Sequence, residues 1–521
     1  MERMGTNGPL LPILLLALVL RAAVAALLPS IVHPDETFQY LEQAYRVVAG
    51  RGMVPWEYVV GVRSWVIPGL LIPLAAAGHW LSPQPDLYLG GVCALMIGLS
   101  LTSVAAVWFI AKVHSGNNRI GAVLAALLMA VWPETVMFAP HVLADTLSGA
   151  TLIAGLACAT PRGRAGRRRV VATGLLLGLT VALRIQLGPA VAVAVLALAP
   201  FRFRAHLIAF GLALAAPLLA FGLVDWATWG APFHSTLANL RANAGGVADT
   251  FGVEPWSWYL TGEWNRWDAP VAVLIAATAA LGALRAPLPA SVLTVIVVTF
   301  SAVAHKEYRF LYPALPILLC LSGIGTASAA GYLLRLMRWT GDRVASRWDS
   351  PAVRLAVFAA LAWVAAAAWV SVRRPMLMSW MQDDGAVHAL AAINQDPKSC
   401  GVAVDPPGAW GSVAFSRLRA DLSLYAAPTD DVPSSPSAYN YVFQPWDYDP
   451  DALPDDYTLV RCFGEKRTCI YRREGPCSPP AGQPLPPGTV SSIERAVQRT
   501  GLKPVVDLTA NPYAWRPRAV R

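Results

Sequence analysis

The sequence predicts an all-α polytopic membrane protein with about eleven transmembrane helices, followed by a small α/β domain. Three observations support this prediction. The chain of 521 residues is 55% hydrophobic and only 14% charged, whereas a soluble protein carries about 25% charged residues. Apolar stretches of about 17–25 residues, the length that spans a bilayer, repeat between residues 10 and 372. From residue 373 onward the composition changes to Pro, Asp and Tyr with short strand-like runs.

The apolar stretches do not all qualify as membrane spans. They lie at residues 10–29, 66–82, 87–111, 119–138, 142–160, 169–187, 188–200, 206–224, 269–284, 287–304, 310–334 and 353–372. We interpret the first as a retained helix, because it exceeds the apolar core of about 7–15 residues of a cleaved signal peptide. The stretch 66–82 is the weakest, since Pro68 and Pro73 remove backbone hydrogen bonds that lipid cannot replace. We expect it to be a juxtamembrane or re-entrant element of the first external loop.

The distribution of positive charge supports eleven spans. With twelve crossings from a cytoplasmic N-terminus, the arginine-rich loop 161–169 would lie outside, against the positive-inside rule. With eleven, this loop becomes a cytoplasmic topology anchor, and we do not interpret it, or the net charge of +9, as a nucleic-acid site. The outer face then receives the charged clusters described below and the whole region after residue 372.

We divide the chain into a transmembrane domain, residues 1–372, and an extracytoplasmic domain with a Pro-rich tail, residues 373–521. Four cysteines lie in the second domain, at positions 400, 462, 469 and 477. An even set in an external domain predicts up to two disulfides, and four cysteines allow three connectivities. Cys93, Cys158 and Cys320 lie in spans, where we interpret them as small apolar residues.

The first charged cluster, His33-Pro34-Asp35-Glu36, follows the first span. The next apolar residues recur at three- and four-residue spacing, which predicts an amphipathic helix lying on the membrane with the acids at its start. Asp35 and Glu36 are candidates for the base that takes a proton from an acceptor hydroxyl. The alternative is that the acids only favour the positive end of the helix dipole.

The second cluster, His305-Lys306-Glu307-Tyr308-Arg309, is basic and ends another span. Continued as a helix, it would place His305, Lys306 and Arg309 on overlapping faces. Arg holds phosphate oxygens bidentately and Lys acts as a point charge, so this cluster is a candidate phosphate site. The alternative is a group of cations that extend to the interface at the end of a span. Cations on the outer face oppose the charge rule, which favours the phosphate.

Further polar and aromatic residues near the outer ends of spans complete the candidate set. Arg21 and Arg184 are assigned to the donor phosphate, because an unpaired cation inside a membrane is unfavourable. The candidate acceptor or sugar contacts are His33, Gln39, Arg63, Asp145, Trp256 and Trp258, although Trp at this level also forms interfacial belts. We expect no metal, because cations of the protein can neutralise a single phosphate.

Four ordered segments resemble glycosyltransferase family 22, the membrane mannosyltransferases. They are His33-Pro34-Asp35-Glu36-Thr37-Phe38-Gln39, Gly61-Val62-Arg63-Ser64-Trp65-Val66-Ile67-Pro68, the stretch Phe251–Leu260 and the stretch His305–Phe310. The resemblance covers residues 10–330. It implies a GT-C fold, a dolichyl- or polyprenyl-phosphate mannose donor and inverting transfer on the extracytoplasmic side. It also implies Asp35 as base, Glu36 as its neighbour, and His305, Lys306 and Arg309 as the donor-phosphate group.

The expected function is therefore transfer of a sugar, mannose first, from a polyprenyl-phosphate donor to an extracytoplasmic glycan or lipid acceptor. The alternatives are a lipid-linked glycan flippase and a polyprenyl-phosphate pentosyltransferase. A flippase is disfavoured because transporters show repeats and midplane charges, whereas the charges here lie at the outer ends of spans. No cofactor is expected beyond the lipid donor, and the partners are membrane lipids, donor and acceptor, with the protein a monomer. The Ala- and Arg-rich composition indicates a bacterial inner membrane with a periplasmic active site.

Overall fold

The computed structural model describes residues 8–116, 119–160, 166–199, 203–338, 351–405, 413–426, 436–445, 456–465, 467–478, 497–498 and 500–506. The Pro-rich tail is mostly outside these residues, as are Arg162 and Arg164 of the arginine-rich loop. The described part is mainly helical and ends in one five-stranded sheet.

The helical part begins with α1 (Leu10–Leu27) and a group of short helices. These are a π-helix (Glu36–Leu41), α2 (Glu42–Ala49), α3 (Trp56–Val59) and α4 (Val66–Leu81). Then follow α5 (Asp86–His114), α6 (Arg119–Val131), α7 (Pro133–Met137), α8 (Ala144–Ala159), α9 (Arg167–Leu183), α10 (Gly188–Leu198) and α11 (Leu207–Trp229). The remainder comprises α12 (His234–Ala244), α13 (Trp258–Trp267), α14 (Ala269–Ala283), α15 (Pro287–Ala302), α16 (Leu315–Arg338) and α17 (Pro351–Val372).

Five apolar segments of the described chain are long enough to cross a membrane by themselves. They are α1, α5, Arg204–Trp229, Tyr308–Leu336 and α17. Shorter apolar helices are α4, α6, α8, α14 and α15 and the segment Ile185–Leu198. Each of the eleven predicted spans corresponds to one of these segments or to α9, and the protein is an integral membrane protein.

Glycines set the spacing between packed helices. A Cβ on Gly325 of α16 would overlap the Thr278 carbonyl of α14, and one on Gly178 of α9 would overlap the Leu214 carbonyl of α11. Small residues at such positions let two backbones approach closely, which is how helices gain packing energy in lipid. The pairs α14–α16 and α9–α11 are accordingly in extensive contact.

Helix α4, the weak apolar stretch, has both ends on one face of the protein. Its start follows Ser64, whose carbonyl accepts from the hydroxyl of Tyr58 in α3 at 3.3 Å. Just beyond its end, the carbonyl of Pro83 accepts from the amide of Ala420 in the C-terminal domain at 2.8 Å. Its 16 residues are as many as those of α8 and α15, so its length does not separate it from the predicted spans. Its assignment to the first external loop stays a prediction from the sequence.

Two predicted helices are interrupted. The predicted span 119–138 divides into α6 and α7 because Trp132, in extended backbone, precedes Pro133, as the steric restriction before proline requires. The expected helical continuation through His305 and Arg309 is wrong. Val303 and Glu307 are extended, and a 3₁₀ turn (Tyr308–Ala314) begins only afterwards.

The C-terminal region contains α18 (Arg374–Trp380), α19 (Asp384–Gln395) and a mixed sheet. Its strands are β1 (Val402–Val404), β2 (Leu424–Ala426), β3 (Tyr441–Gln444), β4 (Thr458–Phe463) and β5 (Thr468–Arg472). The order is β2-β1-β3-β5-β4, with β1 parallel to β2 and β3, and β5 antiparallel to β3 and β4. Disulfides join Cys400 to Cys477 and Cys462 to Cys469. This is the small α/β domain that the sequence predicts.

The position of α4 can be tested by replacing exposed residues with cysteine. In a background without Cys93, Cys158 and Cys320, we expect Asp86→Cys to react with a membrane-impermeant maleimide from the face that carries the C-terminal domain. The matched control Arg285→Cys, in the α14–α15 connector, should react only from the opposite face. Labelling of both positions from one face would contradict this topology.

Candidate functional site

A cavity of about 680 Å³ lies between the short helices that follow α1 and the ends of several apolar helices. It is bounded by the π-helix, α3, the start of α4, α12 and the ends of α9 and α15. Eight of the residues proposed from the sequence line it: His33, Asp35, Gln39, Arg63, Arg184, His305, Lys306 and Arg309. The fold thus brings both charged clusters to one cavity.

The two clusters meet through an ion pair and a histidine–carboxylate contact. Arg309 Nη2 donates to Asp35 Oδ2 at 2.6 Å. Arg309 Nε also donates to Glu307 Oε2 at 2.5 Å. His33 Nε2 lies 3.1 Å from the same Glu307 oxygen, and its Nδ1 lies 3.4 Å from Asp35 Oδ1. The candidate base and the candidate phosphate cation are therefore in direct contact.

These contacts shift the pKa values of the two carboxyls. Burial alone would raise the pKa of Asp35, but the positive charge of Arg309, followed by that of His33, lowers it well below its ordinary value. Burial likewise opposes ionisation of Glu307, yet the hydrogen bond from His305 and the charge of Arg309 lower its pKa to about 2. The hydrogen bond to Glu307 in turn raises the pKa of His305. Both carboxyls are ionised at neutral pH.

A further carboxylate contacts both arginines. Asp145, at the start of α8, is fully buried. Its Oδ1 lies 2.7 Å from Arg184 Nη1, and its Oδ2 lies 3.8 Å from Arg309 Nη1. The Arg184 guanidinium also stacks on the Phe310 ring at 4.4 Å. Asp145 is thus placed to orient cations rather than to contact a ligand in this cavity, which it does not line.

Glu36 faces away from Asp35, as expected for adjacent helical residues. Its Oε2 lies 2.6 Å from His141 Nδ1, and its Oε1 lies 3.7 Å from Arg417 Nη2 of the C-terminal domain. Glu36 is not among the residues that line the cavity. The sequence assigned no role to His141 or Arg417, because isolated residues far apart in the chain carry no local motif. Glu307 was also missed, although it lies inside the basic cluster between Lys306 and Arg309.

The π-helix presents Gln39 to another buried acid. Gln39 Nε2 donates to Glu57 Oε1 at 2.8 Å. Burial, followed by the negative charge of Asp35, raises the pKa of Glu57 to about 7. π-Helical turns are rare and occur often at functional sites, and this one starts one residue after the candidate base.

Three residues proposed from the sequence, Arg21, Trp256 and Trp258, do not line the cavity. Arg21 is buried in α1 and donates to the carbonyls of Met129 and Ala130, each at 3.0 Å, so it satisfies the end of α6 and does not line the cavity. Trp256 is 69% exposed, and neither it nor Trp258 lines the cavity. Lys306 lines it, and its ammonium donates to the Glu254 and Val303 carbonyls.

The C-terminal domain contacts the helix that carries the site. Glu42 of α2 accepts backbone hydrogen bonds from Met53 at 2.8 Å, from Ser416 at 2.8 Å and from Phe415 at 3.3 Å. The neighbouring Arg417 Nε donates to Thr37 Oγ1 at 3.0 Å. One buried carboxylate therefore joins the juxtamembrane loop to a 3₁₀ turn of the C-terminal domain.

The amino-acid sequence of this chain is similar to those of known proteins. A sequence profile of the Alg9-like mannosyltransferase family matches residues 13–403. The mannosyltransferase APTG1 of Arabidopsis thaliana is 26% identical over 396 residues, which cover 69% of this chain and 67% of that protein. The alpha-1,2-mannosyltransferase alg9 of Schizosaccharomyces pombe is 22% identical over 403 residues, which cover 70% and 68% of the two chains.

The fold is also shared with a solved structure. ArnT from Cupriavidus metallidurans, crystallised with undecaprenyl phosphate, superimposes with a TM-score of 0.57 at 14% identity. The superposition covers 91% of this chain and all of that one. At this identity the similarity concerns the fold, which is that of a membrane glycosyltransferase.

The role of Glu42 in joining the two regions is testable. Glu42→Gln replaces an oxygen that accepts by an amide that donates, so at least one buried N–H loses its acceptor. We expect a loss of about 1–3 kcal/mol, seen as a lower thermal unfolding temperature in nanodiscs and faster proteolysis near Phe415. The matched control Glu474→Gln, whose side chain is 81% exposed, should behave as wild type. An unchanged melting curve for Glu42→Gln would contradict this role.

Proposed function

This chain belongs to the Alg9-like mannosyltransferase family, and from that membership we propose that it transfers mannose from a polyprenyl-phosphate donor. It is a membrane glycosyltransferase. The acceptor we propose is a glycan or lipid at the extracytoplasmic face, and the transfer inverts the anomeric carbon. The membrane we propose is a bacterial inner membrane, with the active site in the periplasm.

The observation that supports this proposal is the contact between Asp35 and Arg309 at 2.6 Å inside one cavity. Four permanent cations line that cavity, namely Arg63, Arg184, Lys306 and Arg309, together with the acids Asp35, Glu57 and Glu307. Burial, followed by the negative charge of Asp35, raises the pKa of Glu57 to about 7, so this carboxyl is only partly ionised at neutral pH. A donor phosphate would add the missing negative charge. Arg309 could then turn part of its hydrogen bonding from Asp35 to the phosphate.

This exchange would make the Asp35 carboxylate a stronger base. While Arg309 holds Asp35, the carboxylate is too weakly basic to accept a proton well, because its pKa is well below the ordinary value. A phosphate that competes for Arg309 would raise the pKa of Asp35. Donor binding would therefore activate the base only when there is a sugar to transfer.

The proposed reaction has one displacement step. The acceptor hydroxyl oxygen attacks the anomeric carbon from the face opposite the phosphate, and Asp35 takes the hydroxyl proton. The bond between the anomeric carbon and the phosphate oxygen breaks, and its electron pair leaves with the polyprenyl phosphate. Arg309, with Arg184 and Lys306 nearby, stabilises the charge that develops on the phosphate.

Two further observations support the proposed class of donor and the proposed orientation of the protein in the membrane. ArnT, which shares the fold, was crystallised with undecaprenyl phosphate, a lipid phosphate of the class proposed here. Two disulfides in the C-terminal domain fit an oxidising compartment outside the cytoplasm. The same domain contacts the helix beside the cavity, so cavity and domain share one face.

The base is tested by substitution of Asp35. We expect Asp35→Asn and Asp35→Ala to insert normally. Their turnover with a defined polyprenyl-phosphate mannose should fall by a factor of about 10²–10⁴. Products are measured by mass spectrometry of the lipid or glycan acceptor.

The matched control is Asp86→Asn, an exposed acid at the start of α5, which should keep wild-type turnover. Wild-type turnover in both Asp35 variants would exclude Asp35 as base. Loss of transfer in every protein, wild type included, with each mannose donor would instead contradict the proposed donor.

We propose that the transfer needs no divalent ion, because arginines and a lysine already surround the phosphate position. Turnover should stay constant when EDTA is added and when Mg²⁺ or Mn²⁺ is restored. Loss of turnover in EDTA with recovery on Mn²⁺ would contradict this proposal. Arg309→Lys should lower turnover more than Lys306→Arg, because only a guanidinium can contact Asp35, Glu307 and a phosphate together.

A further inference from the structure

A second cavity, of about 480 Å³, lies between α13, α14, α15 and the beginning of α16. No residue lines both cavities. Its walls are almost entirely apolar, with Ala, Val, Leu and Ile side chains of the three spans. Because these residues come from the outer halves of α14 and α16, the cavity lies at the level of the outer leaflet.

The rim of this cavity is apolar and exposed. Leu260 is 54% exposed, Trp264 48% and Val273 53%. Large apolar side chains at the surface of an integral membrane protein face lipid chains rather than water. The cavity therefore opens sideways into the bilayer, where an acyl chain can enter it.

The floor of the cavity is acidic. Glu134, only 2% exposed, accepts from Trp267 Nε1 at 2.5 Å through Oε1, while its Oε2 has no hydrogen-bond partner among the described residues. Glu263 Oε2 is likewise buried and without a partner in the described chain. The buried hydroxyl of Tyr308 lies beside the Glu134 carboxyl. Glu134 and Glu263 both line the cavity, and a buried carboxyl oxygen with unused acceptor capacity is unfavourable without a donor.

One cation accompanies the two acids. The Arg266 guanidinium stacks on the Tyr308 ring at 3.5 Å, and its buried Nε has no hydrogen-bond partner among the described residues. Arg266 does not line the cavity but lies beside its polar end, behind Tyr308, so two acids and one cation are grouped there. A zwitterionic headgroup with a primary ammonium and a phosphate matches this set.

We propose that this second cavity binds one outer-leaflet phospholipid with a primary ammonium headgroup. The ammonium donates to Glu134 and Glu263, the phosphate approaches Arg266, and an acyl chain lies along the apolar wall. A lipid phosphate without an ammonium is excluded by repulsion from the carboxylates, which separates this site from the donor site. A choline headgroup has no N–H to donate. This proposal does not depend on the proposed transfer reaction.

The test uses the full-length protein in phosphatidylglycerol nanodiscs doped with a diazirine-tailed phospholipid. The probes are phosphatidylethanolamine, phosphatidylcholine and phosphatidylglycerol with identical tails, and cross-linked peptides are mapped by mass spectrometry. We expect the ethanolamine probe to label α13–α16 about tenfold or more above the other two. Equal labelling by the three probes would overturn the proposal.

Two variants separate specific binding from general lipid contact. At pH 9, where Glu263 is ionised, Glu263→Gln removes one charge and should lower ethanolamine labelling about tenfold, to the level of the choline probe. Ala276→Phe fills the cavity from an exposed position of α14 and should abolish labelling while both acids remain. Glu474→Gln is the matched control. Folding is checked by size-exclusion chromatography, and wild-type labelling in both cavity variants would overturn the proposal.

Labelling by the ethanolamine probe should also increase with pH. Burial, followed by the negative charge of Glu134, raises the pKa of Glu263 to about 8, and Arg266 opposes this. The other groups that face Glu263 are Tyr259 and Tyr308. Ethanolamine labelling should therefore increase between about pH 7 and pH 9 as Glu263 ionises, and Glu263→Gln should lose this increase. Labelling of the wild type that is constant over this range would overturn the role of Glu263.

Discussion

The ion pair between Asp35 and Arg309 is the contact on which the organisation of the candidate site depends. It joins residues 274 positions apart, one in the loop after α1 and one at the start of a late apolar segment. Burial makes such a pair unfavourable unless further groups satisfy both partners. Glu307, His33 and Asp145 do so here. The break between α15 and α16 follows from this requirement, because a continuous helix would carry Glu307 and Arg309 on different faces.

The C-terminal domain is part of the site rather than an independent attachment. Glu42 accepts from the backbone of Phe415 and Ser416, and Arg417 contacts Thr37 and Glu36, five and six residues before Glu42 in the chain. The change in composition at residue 373 coincides with the end of α17 at Val372. It does not mark where contacts with the site end, since these depend on single buried polar residues.

The sequence was sufficient to predict what depends on local pattern. Apolar stretches predicted the membrane helices, and local charge density identified Asp35 and Arg309. Three things depended on long-range packing instead. The partners of Glu36, His141 and Arg417, lie far from it in the chain. Arg21 satisfies carbonyls at the end of α6, which no local motif shows. The disulfide connectivity required the strand order of the sheet.

The two cavities differ in their charged groups. The first is lined by both signs, the cations Arg63, Arg184, Lys306 and Arg309 and the acids Asp35, Glu57 and Glu307, whereas the charged residues that line the second are the acids Glu134 and Glu263. Both open among apolar walls, where little water screens a charge and electrostatic preferences are strong. In the two proposals above, the first cavity would hold a lipid phosphate and the second a lipid ammonium. Tyr308 and Arg309, adjacent in the chain, lie one in each cavity. The 3₁₀ turn that they begin is consequently the element through which occupation of one cavity could alter the other.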